Sequence, residues 1–156
     1  MVQLSVIILN YNVKHFLKLC LQSVVQATEN IQAEIIVADN ASKDGSMQMV
    51  AQNFPNVIRL ENKANLGFSK ANNLAVKKAK GKYICILNPD TVVPEQIFSN
   101  LLKFVKTVPD FGAVGVKLID GKGQFLPESK RQIPTPKVAF QKMVGNATNY
   151  YASNLE

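Results

Sequence analysis

Asparagine and aspartate side chains follow each of four short β-type runs in this sequence. They are Asn10 and Asn12 after the first run, Asp39 and Asn40 after the second, Asn62 after the third, and Asn88 and Asp90 after the fourth. Parallel strands of an α/β sheet end at one edge, where ligands bind, so we expect these side chains to form a polar rim. Turn formation alone would account for one or two of these positions. Four in succession favour a ligand site built from amide and carboxylate oxygens.

The predicted rim lacks the glycine-rich loops that commonly bind phosphate groups. A dinucleotide site needs Gly-x-Gly-x-x-Gly after the first strand, where residues 10–14 contain no glycine. The sequence Gly81-Lys82-Tyr83 enters a strand and does not fit a P-loop. A diphosphate would therefore need a divalent cation, and Mg²⁺ or Mn²⁺ prefers hard oxygen ligands. Asp90, just past the fourth strand, is the natural ligand; its alternative role is to cap the helix that starts near Pro94.

Strand and helix patterns alternate along most of the chain. Strands are predicted at residues 4–9, 34–38, 57–60, 82–87 and 113–118, and helices at 13–27, 46–54, 68–79 and from residue 94 onward. This order predicts an α/β fold with a parallel sheet covered by helices on both faces. The last of these helices is expected to bury Ile97, Leu101, Phe104 and Val105. Beyond residue 126 three prolines weaken the pattern, and we expect a loop followed by a helix at about 137–144.

Length and composition describe one globular domain. The chain has 156 residues, of which 47% are hydrophobic and 19% are charged, so it can form a core and is not a disordered tail. Its two cysteines, Cys20 and Cys85, exclude a disulfide scaffold. The apolar runs are too short to span a bilayer, and we expect a cytoplasmic protein.

The net charge of +7 is unevenly placed. Residues 1–60 carry as many acidic as basic side chains, so the whole excess lies in residues 61–156. Between Lys63 and Lys82 the sequence contains six lysines and no acidic residue. Such a segment attracts phosphate, nucleic acid or anionic lipid, and it is equally compatible with a solvated helix face. The lack of arginine and of interleaved aromatic residues argues against sequence-specific nucleic-acid binding.

Four segments resemble the motifs of family 2 glycosyltransferases in order and spacing. They are residues 5–12, 39–44, 65–73 and 87–91. Two further segments, residues 112–115 and 131–136, resemble the rhamnosyltransferase-like branch of that family. The resemblance covers residues 2–136.

The resemblance implies a GT-A fold, which is Rossmann-like, and a nucleoside-diphosphate sugar donor of the UDP or dTDP type. It implies inverting transfer of the sugar to a glycan or lipid-linked acceptor in cell-wall or polysaccharide biosynthesis, with a divalent metal, Mg or Mn. The matching positions suggest a role for each residue. Leu9 and Tyr11 would line the base pocket, and Asp39 would hydrogen-bond the base. Near the nucleotide would lie Asn65, Gly67, Lys70 and Asn73. Asn88 would lie by the ribose or metal, and Asp90 would bind the metal. Residues 1–126 would form the nucleotide-sugar-binding GT-A domain, and residues 127–156 the truncated start of an acceptor-side region.

Two departures from the family pattern affect this expectation. The family often has Asp-x-Asp where this chain has Asn88-Pro89-Asp90, so one carboxylate is lost, and it often has Arg-Asn where this chain has Asn72-Asn73. The family's catalytic base lies in the later half of its longer enzymes, so no catalytic residue is identified in this chain.

Two other classes of function stay open from the residues alone. A nucleotidyltransferase would have a glycine-rich basic loop after the first strand, which is absent here. A non-catalytic module would instead recruit an anionic partner through the lysines between residues 63 and 82. The same lysines could dock an enzyme on the inner face of an anionic membrane.

Overall fold

The computed structural model describes residues 1–108, 110–116, 122, 124 and 143. The secondary-structure elements in this part of the chain are β1 Leu4–Asn10, α1 Lys14–Thr28, β2 Ala33–Asp39, α2 Ser46–Asn53, β3 Ile58–Glu61, α3 Phe68–Val76, β4 Tyr83–Leu87 and α4 Ile97–Phe104. The chain divides into two compact units, Met1–Val108 and Pro109–Glu156, and all of these elements belong to the first. The domain boundary predicted at residue 126 falls outside the described residues and stays a prediction.

The first four predicted strands form one parallel sheet in the order β3-β2-β1-β4. Strands β1 and β2 lie at its centre, and their side chains from Val6 to Ile8 and from Ile36 to Ala38 are almost fully buried. Continuous runs of valine and isoleucine are typical of parallel strands that are covered on both faces. The α/β class and the parallel sheet predicted from the sequence are therefore confirmed.

Helices cover both faces of the sheet, but unequally. Helices α1, α2 and α4 pack on one face against Leu4, Val6 and Ile8 of β1, whereas Ala75 of α3 packs on the other face against Ile7. A single helix is too narrow to cover a four-stranded sheet. Accordingly, the α3 face is left open at β4, where two isoleucine side chains, Ile84 and Ile86, are 40% and 44% exposed.

The expected fifth strand is wrong over the residues that can be compared. Residues 113–116 are irregular and exposed, and 117–118 lie outside the described residues. A strand needs a partner to bond its backbone groups, and Gly112 and Gly115 weaken the strand tendency of this run. The helix expected at 137–144 lies outside the described residues except for Met143.

The apolar face expected for the last helix is only partly correct. In α4 the buried side chains are Phe98 and Leu102, and Ile97 and Leu101 pack partly buried beside them. Phe104 is 51% exposed, contrary to the expectation. With 3.6 residues per turn, a core face centred between Leu101 and Phe98 leaves Phe104 at its margin.

At the amino-terminal edge of the sheet, Gly81 joins the start of β4 to the central strands. The Gly81 backbone N–H donates to Ser5 Oγ at 2.9 Å, and the Ser5 hydroxyl donates to Glu34 Oε1. Glu34 also accepts a hydrogen bond from the Lys80 backbone N–H. Ser5 is fully buried, so this network satisfies its hydroxyl inside the protein.

None of the helices in the described part of the chain combines the length and the apolar character that crossing a membrane requires.

Candidate functional site

The carboxyl ends of the four strands form one edge of the sheet, as the sequence predicted. The register aligns Asn10 at the end of β1 with Asp39 at the end of β2. Leu87 at the end of β4 aligns with Ile8. Because β2 and β4 flank β1, the strands that lead to Asp39 and Asp90 are about 10 Å apart at the same edge. The two carboxylates thus belong to one rim rather than to opposite sides of the molecule.

Asp39 is the centre of a buried hydrogen-bond cluster at the end of β2. Its carboxylate accepts bonds from Asn10 Nδ2 at 2.7 Å, Ser42 Oγ at 2.6 Å and the Ser42 backbone N–H at 2.8 Å. The side chain is only 2% exposed. A carboxylate has about four acceptor positions, so one is left for a donor that reaches it from the rim. The Oδ1 atom of Asn10, buried in the same cluster, has no hydrogen-bond partner among the described residues.

The loops after β1 and β2 are fastened to each other. The Asn12 backbone N–H donates to Ser42 Oγ at 2.9 Å, and Asn12 Oδ1 accepts from the Lys43 backbone N–H at 2.8 Å. Asn12 and Ala41 adopt left-handed backbone angles, with φ of 53° and 61°. This conformation is uncommon for alanine and is tolerated where surrounding contacts enforce it, as at preorganised sites. Asparagine adopts this conformation more readily than most residues, whereas the residue type gave no signal for it at Ala41.

Asp44 caps two helices at once. Helix α1 has no capping side chain of its own at Val13, and the backbone N–H of Lys14 donates instead to Asp44 Oδ2 at 2.8 Å. The other oxygen accepts from the backbone N–H of Ser46, at the start of α2, at 3.0 Å. Burial raises the pKa of Asp44, but the hydrogen bonds from Ser46 and Lys14 outweigh it and hold the pKa below its ordinary value. The ionised carboxylate therefore stabilises both loops of the rim.

Replacing Asp44 with alanine is expected to lower the free energy of unfolding by about 1–2 kcal/mol at pH 7, because both caps are lost. The pKa is lowered in the folded state, so the stabilisation is complete above the ordinary pKa of 3.8 and is lost as the pH falls through the folded-state value. Urea unfolding followed by circular dichroism at pH 7 and at pH 3 measures the difference. The difference between the wild type and the variant should shrink as the pH falls from 7 to 3, whereas Glu29→Ala, at the other end of α1, should stay close to the wild type at both pH values.

Asn40, the next residue after Asp39, organises a second cluster. Its Nδ2 donates to Asn65 Oδ1 at 3.1 Å and to the Gly67 carbonyl at 3.4 Å. Its Oδ1 accepts from Asn62 Nδ2 at 3.0 Å and from the Leu66 backbone N–H at 3.4 Å. Asn40 is 2% exposed, so these bonds fasten the loop that leads into α3 to the end of β2. The sequence placed Asn40 on the rim but did not single it out as a site residue.

The two clusters lie on opposite faces of the sheet because successive strand residues alternate. Asp39 shares its side with Val37, which packs against α1 and α2. Asn40 continues the side of Ala38, which packs with α3. Asp39 and Asn40 are adjacent in the chain, so a single peptide bond links the two hydrogen-bond clusters of the rim.

Helix α3 begins at the rim and carries the predicted nucleotide residues. Gly67 precedes it with φ of 74°, which favours glycine, and Asn65 Oδ1 accepts the Gly67 backbone N–H at 2.9 Å. The first turn of α3 has no acidic side chain and no side-chain cap, so its N–H groups are available to an anion. Lys70 and Asn73 are exposed. Asn72, where the family often has arginine, is 5% exposed and points inward, so Lys70 is the available cation.

The segment after β4 places Asn88 and Asp90 in an exposed turn. The Thr91 backbone N–H donates to the Asn88 carbonyl at 3.3 Å, and the Cys20 thiol of α1 donates to the same carbonyl at 3.7 Å. Burial, together with the negative charge of nearby Asp90, raises the pKa of the Cys20 thiol to about 11. This thiol therefore stays protonated at neutral pH.

The residues at the end of β4 fit a metal ion that is held partly by its substrate. No group of three or more His, Cys, Asp or Glu side chains that could hold a metal is found within the described residues. Mg²⁺ commonly takes only one or two carboxylates and completes its coordination with water and phosphate oxygens. An exposed Asp90 with the amide of Asn88 beside it suits that mode and does not suit an all-protein cage.

Leu9 and Tyr11 flank the end of β1 where the resemblance expects a base pocket. Leu9 is half-buried on the α3 side with Leu60 of β3, and Tyr11 is 49% exposed at the rim. Leu9 therefore lies on the opposite face of the sheet from Asp39 and Asn10, and the exposed ring of Tyr11 is left to pack against a planar ligand at the rim. The roles of both residues stay predictions.

A separate hollow of about 570 Å³ lies at the opposite end of the first unit, between the end of α1, the start of β2 and the loop after α2. Gln26, Glu34 and Phe54 are among its lining residues. None of the predicted site residues lines it, so it is distinct from the rim.

Comparison with known proteins identifies related sequences. The family model "Glycosyl transferase family 2" matches residues 5–153. The minor teichoic acid biosynthesis protein GgaB of Bacillus subtilis is 35% identical over 125 residues, which are 76% of this chain and 14% of that protein. The N-acetylglucosaminyl-diphospho-decaprenol L-rhamnosyltransferase of Mycobacterium tuberculosis is 30% identical over 143 residues, which are 85% of this chain and 46% of that enzyme. The chain therefore spans less than half the length of these relatives.

Solved structures share the fold. Staphylococcus aureus TarS 1–349 in complex with UDP matches 76% of this chain and 42% of its own length, with a TM-score of 0.61 and 21% identity. The mannosyltransferase PcManGT of Pyrobaculum calidifontis, solved with GDP-Man and Mn²⁺, matches 74% of this chain and 36% of its own length, with a TM-score of 0.62 and 23% identity. These structures are glycosyltransferases of the GT-A fold, which confirms the fold expected for this chain.

Proposed function

This chain belongs to glycosyl transferase family 2, and on that premise we propose that it forms the donor-binding part of an enzyme that transfers a sugar from a nucleoside diphosphate. The observation that carries the proposal is the rim, where Asp39 and Asp90 follow strands on either side of β1. A buried acceptor and an exposed carboxylate at this spacing can engage the base and the diphosphate of one ligand. A nucleotidyltransferase is not favoured, because the loop after β1 contains no glycine.

The base is held on the Asp39 side of the rim. The remaining acceptor position of Asp39 would take the imide N–H of uracil or thymine, a charge-assisted bond about twice as strong as a neutral one. Tyr11 would pack against the ring, and Leu9 would line the pocket from the α3 side. This pairing favours a donor of the UDP or dTDP type, because uracil and thymine both carry an imide N–H.

The diphosphate lies between α3 and the end of β4. Lys70, the N–H groups at the start of α3 and Asn73 would bind phosphate oxygens from one side, where Asn65 and Gly67 shape the loop. Asp90, with Asn88 by the ribose or the metal, would hold Mg²⁺ or Mn²⁺ from the other side. When bound, the cation would neutralise negative charge on the departing diphosphate. Mn²⁺ and GDP-Man in the structure of PcManGT support a divalent cation at such a rim.

We assign no catalytic base and no acceptor-binding residue to the described part of the chain. The names of the relatives, which specify teichoic acid and a decaprenol-linked substrate, support a glycan or lipid-linked acceptor. A cytoplasmic site of action is part of the proposal.

Calorimetric titration with UDP, dTDP and GDP, each with and without Mn²⁺, tests the proposal. We expect UDP or dTDP to bind more tightly than GDP, and Mn²⁺ to strengthen binding by about tenfold, as for a metal held by a single carboxylate and the phosphates. Asp90→Asn should abolish the Mn²⁺ effect, because the one strong metal ligand is lost. Glu29→Gln, an exposed carboxylate at the far end of α1, should retain it. Absence of nucleotide binding at millimolar concentration, or an unchanged Mn²⁺ effect in Asp90→Asn, would contradict the proposal.

A further inference from the structure

The outer surface of α3 and of the turn that follows it is strongly basic; we call Lys70, Leu74, Lys77, Lys78 and Lys80 the lysine face. All four of these lysines are exposed, as are Lys63 and Lys82 beside them in the sequence. No acidic residue occurs from Asn62 to Pro89. The positive potential of this face is therefore not neutralised from within its own segment.

The lysines surround an exposed aliphatic side chain. Leu74 is 41% exposed, and it lies one helical turn from Lys70 on one side and from Lys77 and Lys78 on the other. The opposite side of α3 is fixed against the sheet by Ala71 and Ala75, which are fully buried. The orientation of the helix thus presents leucine and lysine together to solvent.

This combination distinguishes a lipid surface from a nucleic acid. Lysine stems lie along apolar material while the ammonium groups reach outward, which suits the boundary between lipid headgroups and acyl chains. Nucleic-acid surfaces instead use arginine for bidentate contacts and aromatic rings for stacking, and the lysine face has neither. An exposed leucine in the middle of the charge has no role on a phosphate backbone.

We propose that the lysine face docks this protein peripherally on a membrane that contains anionic lipid. The inference deepens the proposed function, on which it rests for the nature of the acceptor. Because α3 begins at the rim and runs away from it, a membrane against this face would lie beside the donor site. A lipid-linked acceptor held in that membrane could then reach the sugar without leaving the bilayer.

Vesicle sedimentation tests the proposal. We expect the chain to sediment with phosphatidylglycerol vesicles at 50 mM salt, to remain in solution with phosphatidylcholine vesicles, and to be released from phosphatidylglycerol by 500 mM salt. Replacing Lys77, Lys78 and Lys80 with glutamine should weaken binding by about 100-fold, since each lysine near an anionic surface contributes several-fold. In the matched control, glutamine replaces Lys18, Lys103 and Lys106. This variant loses the same amount of charge from exposed positions elsewhere, and it should bind vesicles only slightly more weakly than the wild type.

A further variant, Leu74→Ser, tests the apolar contribution. It should weaken vesicle binding several-fold at 50 mM salt, and by a similar factor at about 150 mM salt, where part of the binding remains, because the loss of apolar contact is not screened. Three results would overturn the proposal: an equal loss of vesicle affinity in the two triple-lysine variants, no binding of the wild type to phosphatidylglycerol vesicles, or a preference of the wild type for double-stranded RNA over vesicles. UDP titration of the same variants separates the two hypotheses: vesicle binding without nucleotide binding would contradict the proposed function alone, and the reverse would contradict the membrane docking alone.

Discussion

Alanine at position 81 is expected to destabilise the first unit by about 3 kcal/mol, because the added methyl group has no space. A Cβ atom on Gly81 would lie 2.5 Å from the backbone nitrogen of Ser5 and 2.7 Å from the carbonyl carbon of Leu4. Both are atoms of the central strand, which cannot shift without disturbing the sheet on either side. The hydrogen bond from Gly81 to Ser5 Oγ would also be strained. Urea unfolding followed by circular dichroism measures the change as a lower midpoint.

Gly112→Ala is the matched control for this variant. Within the described part of the chain, no atom lies within 4 Å of the position that a Cβ on Gly112 would take, so the same methyl group should change the midpoint little. Equal midpoints for the two alanine variants would show that β4 is not held closely against β1 at this point, contrary to the structure.

Asn40→Ala is expected to weaken nucleoside-diphosphate binding more than tenfold and to lower the free energy of unfolding by about 2 kcal/mol. The substitution removes the bonds that Asn40 makes to Asn62 Nδ2, the Leu66 N–H and the Gly67 carbonyl, and it leaves Asn65 Oδ1 with the Gly67 N–H alone. Buried polar groups that lose a hydrogen bond cost about 1–3 kcal/mol each before the loop relaxes. Relaxation towards solvent would recover part of that energy. It would also move Gly67 and the start of α3, which the proposed site needs in place. Titration with UDP and urea unfolding measure the two effects.

Asn53→Ala provides the comparison. Asn53 donates one hydrogen bond to the Met49 carbonyl within α2, far from the rim, so its loss should leave UDP binding unchanged. Combining Asn40→Ala with Asn62→Ala should cost less than the sum of the two single variants, because both remove the same bond. Strict additivity, or UDP affinity in Asn40→Ala equal to that of Asn53→Ala, would be evidence against the positioning role.

The sequence was sufficient to predict the elements that bury a continuous apolar surface. Runs such as residues 4–9 and 34–38 are too apolar for any place except the centre of a parallel sheet, and β1 and β2 are found there. The four polar strand ends were predicted for the same reason, since topology alone brings them to one edge. The prediction was wrong at residues 113–116, where a short β-type run contains glycine and has no pairing partner in the described part of the chain.

The details of the rim depend on contacts that are distant in sequence. Asp39 was expected to face a ligand, yet three of its acceptor positions are already used by Asn10 and Ser42. Asp44 caps α1 from 30 residues away, which no local capping pattern reveals. The left-handed conformation of Ala41 likewise follows from the fastening of two loops and not from the preference of alanine. Hydrogen-bond partners of this kind are fixed by tertiary structure, so residue types and spacing could indicate the location of the site but not its internal connections.

Adjacent side chains at the end of β2 serve opposite layers of the protein, and this makes the length of that strand critical. One residue gained or lost between Ala33 and Ala38 would turn each following side chain to the other face of the sheet. The Asp39 carboxylate and the Asn40 amide would then exchange layers. Neither layer could use the wrong group. One layer requires three acceptor positions, for Asn10 and Ser42, and an amide oxygen offers only two. The other layer requires a donor for Asn65, which a carboxylate does not provide. Insertions and deletions during evolution should therefore be absorbed by the turn between α1 and β2, while the strand itself keeps its residue count.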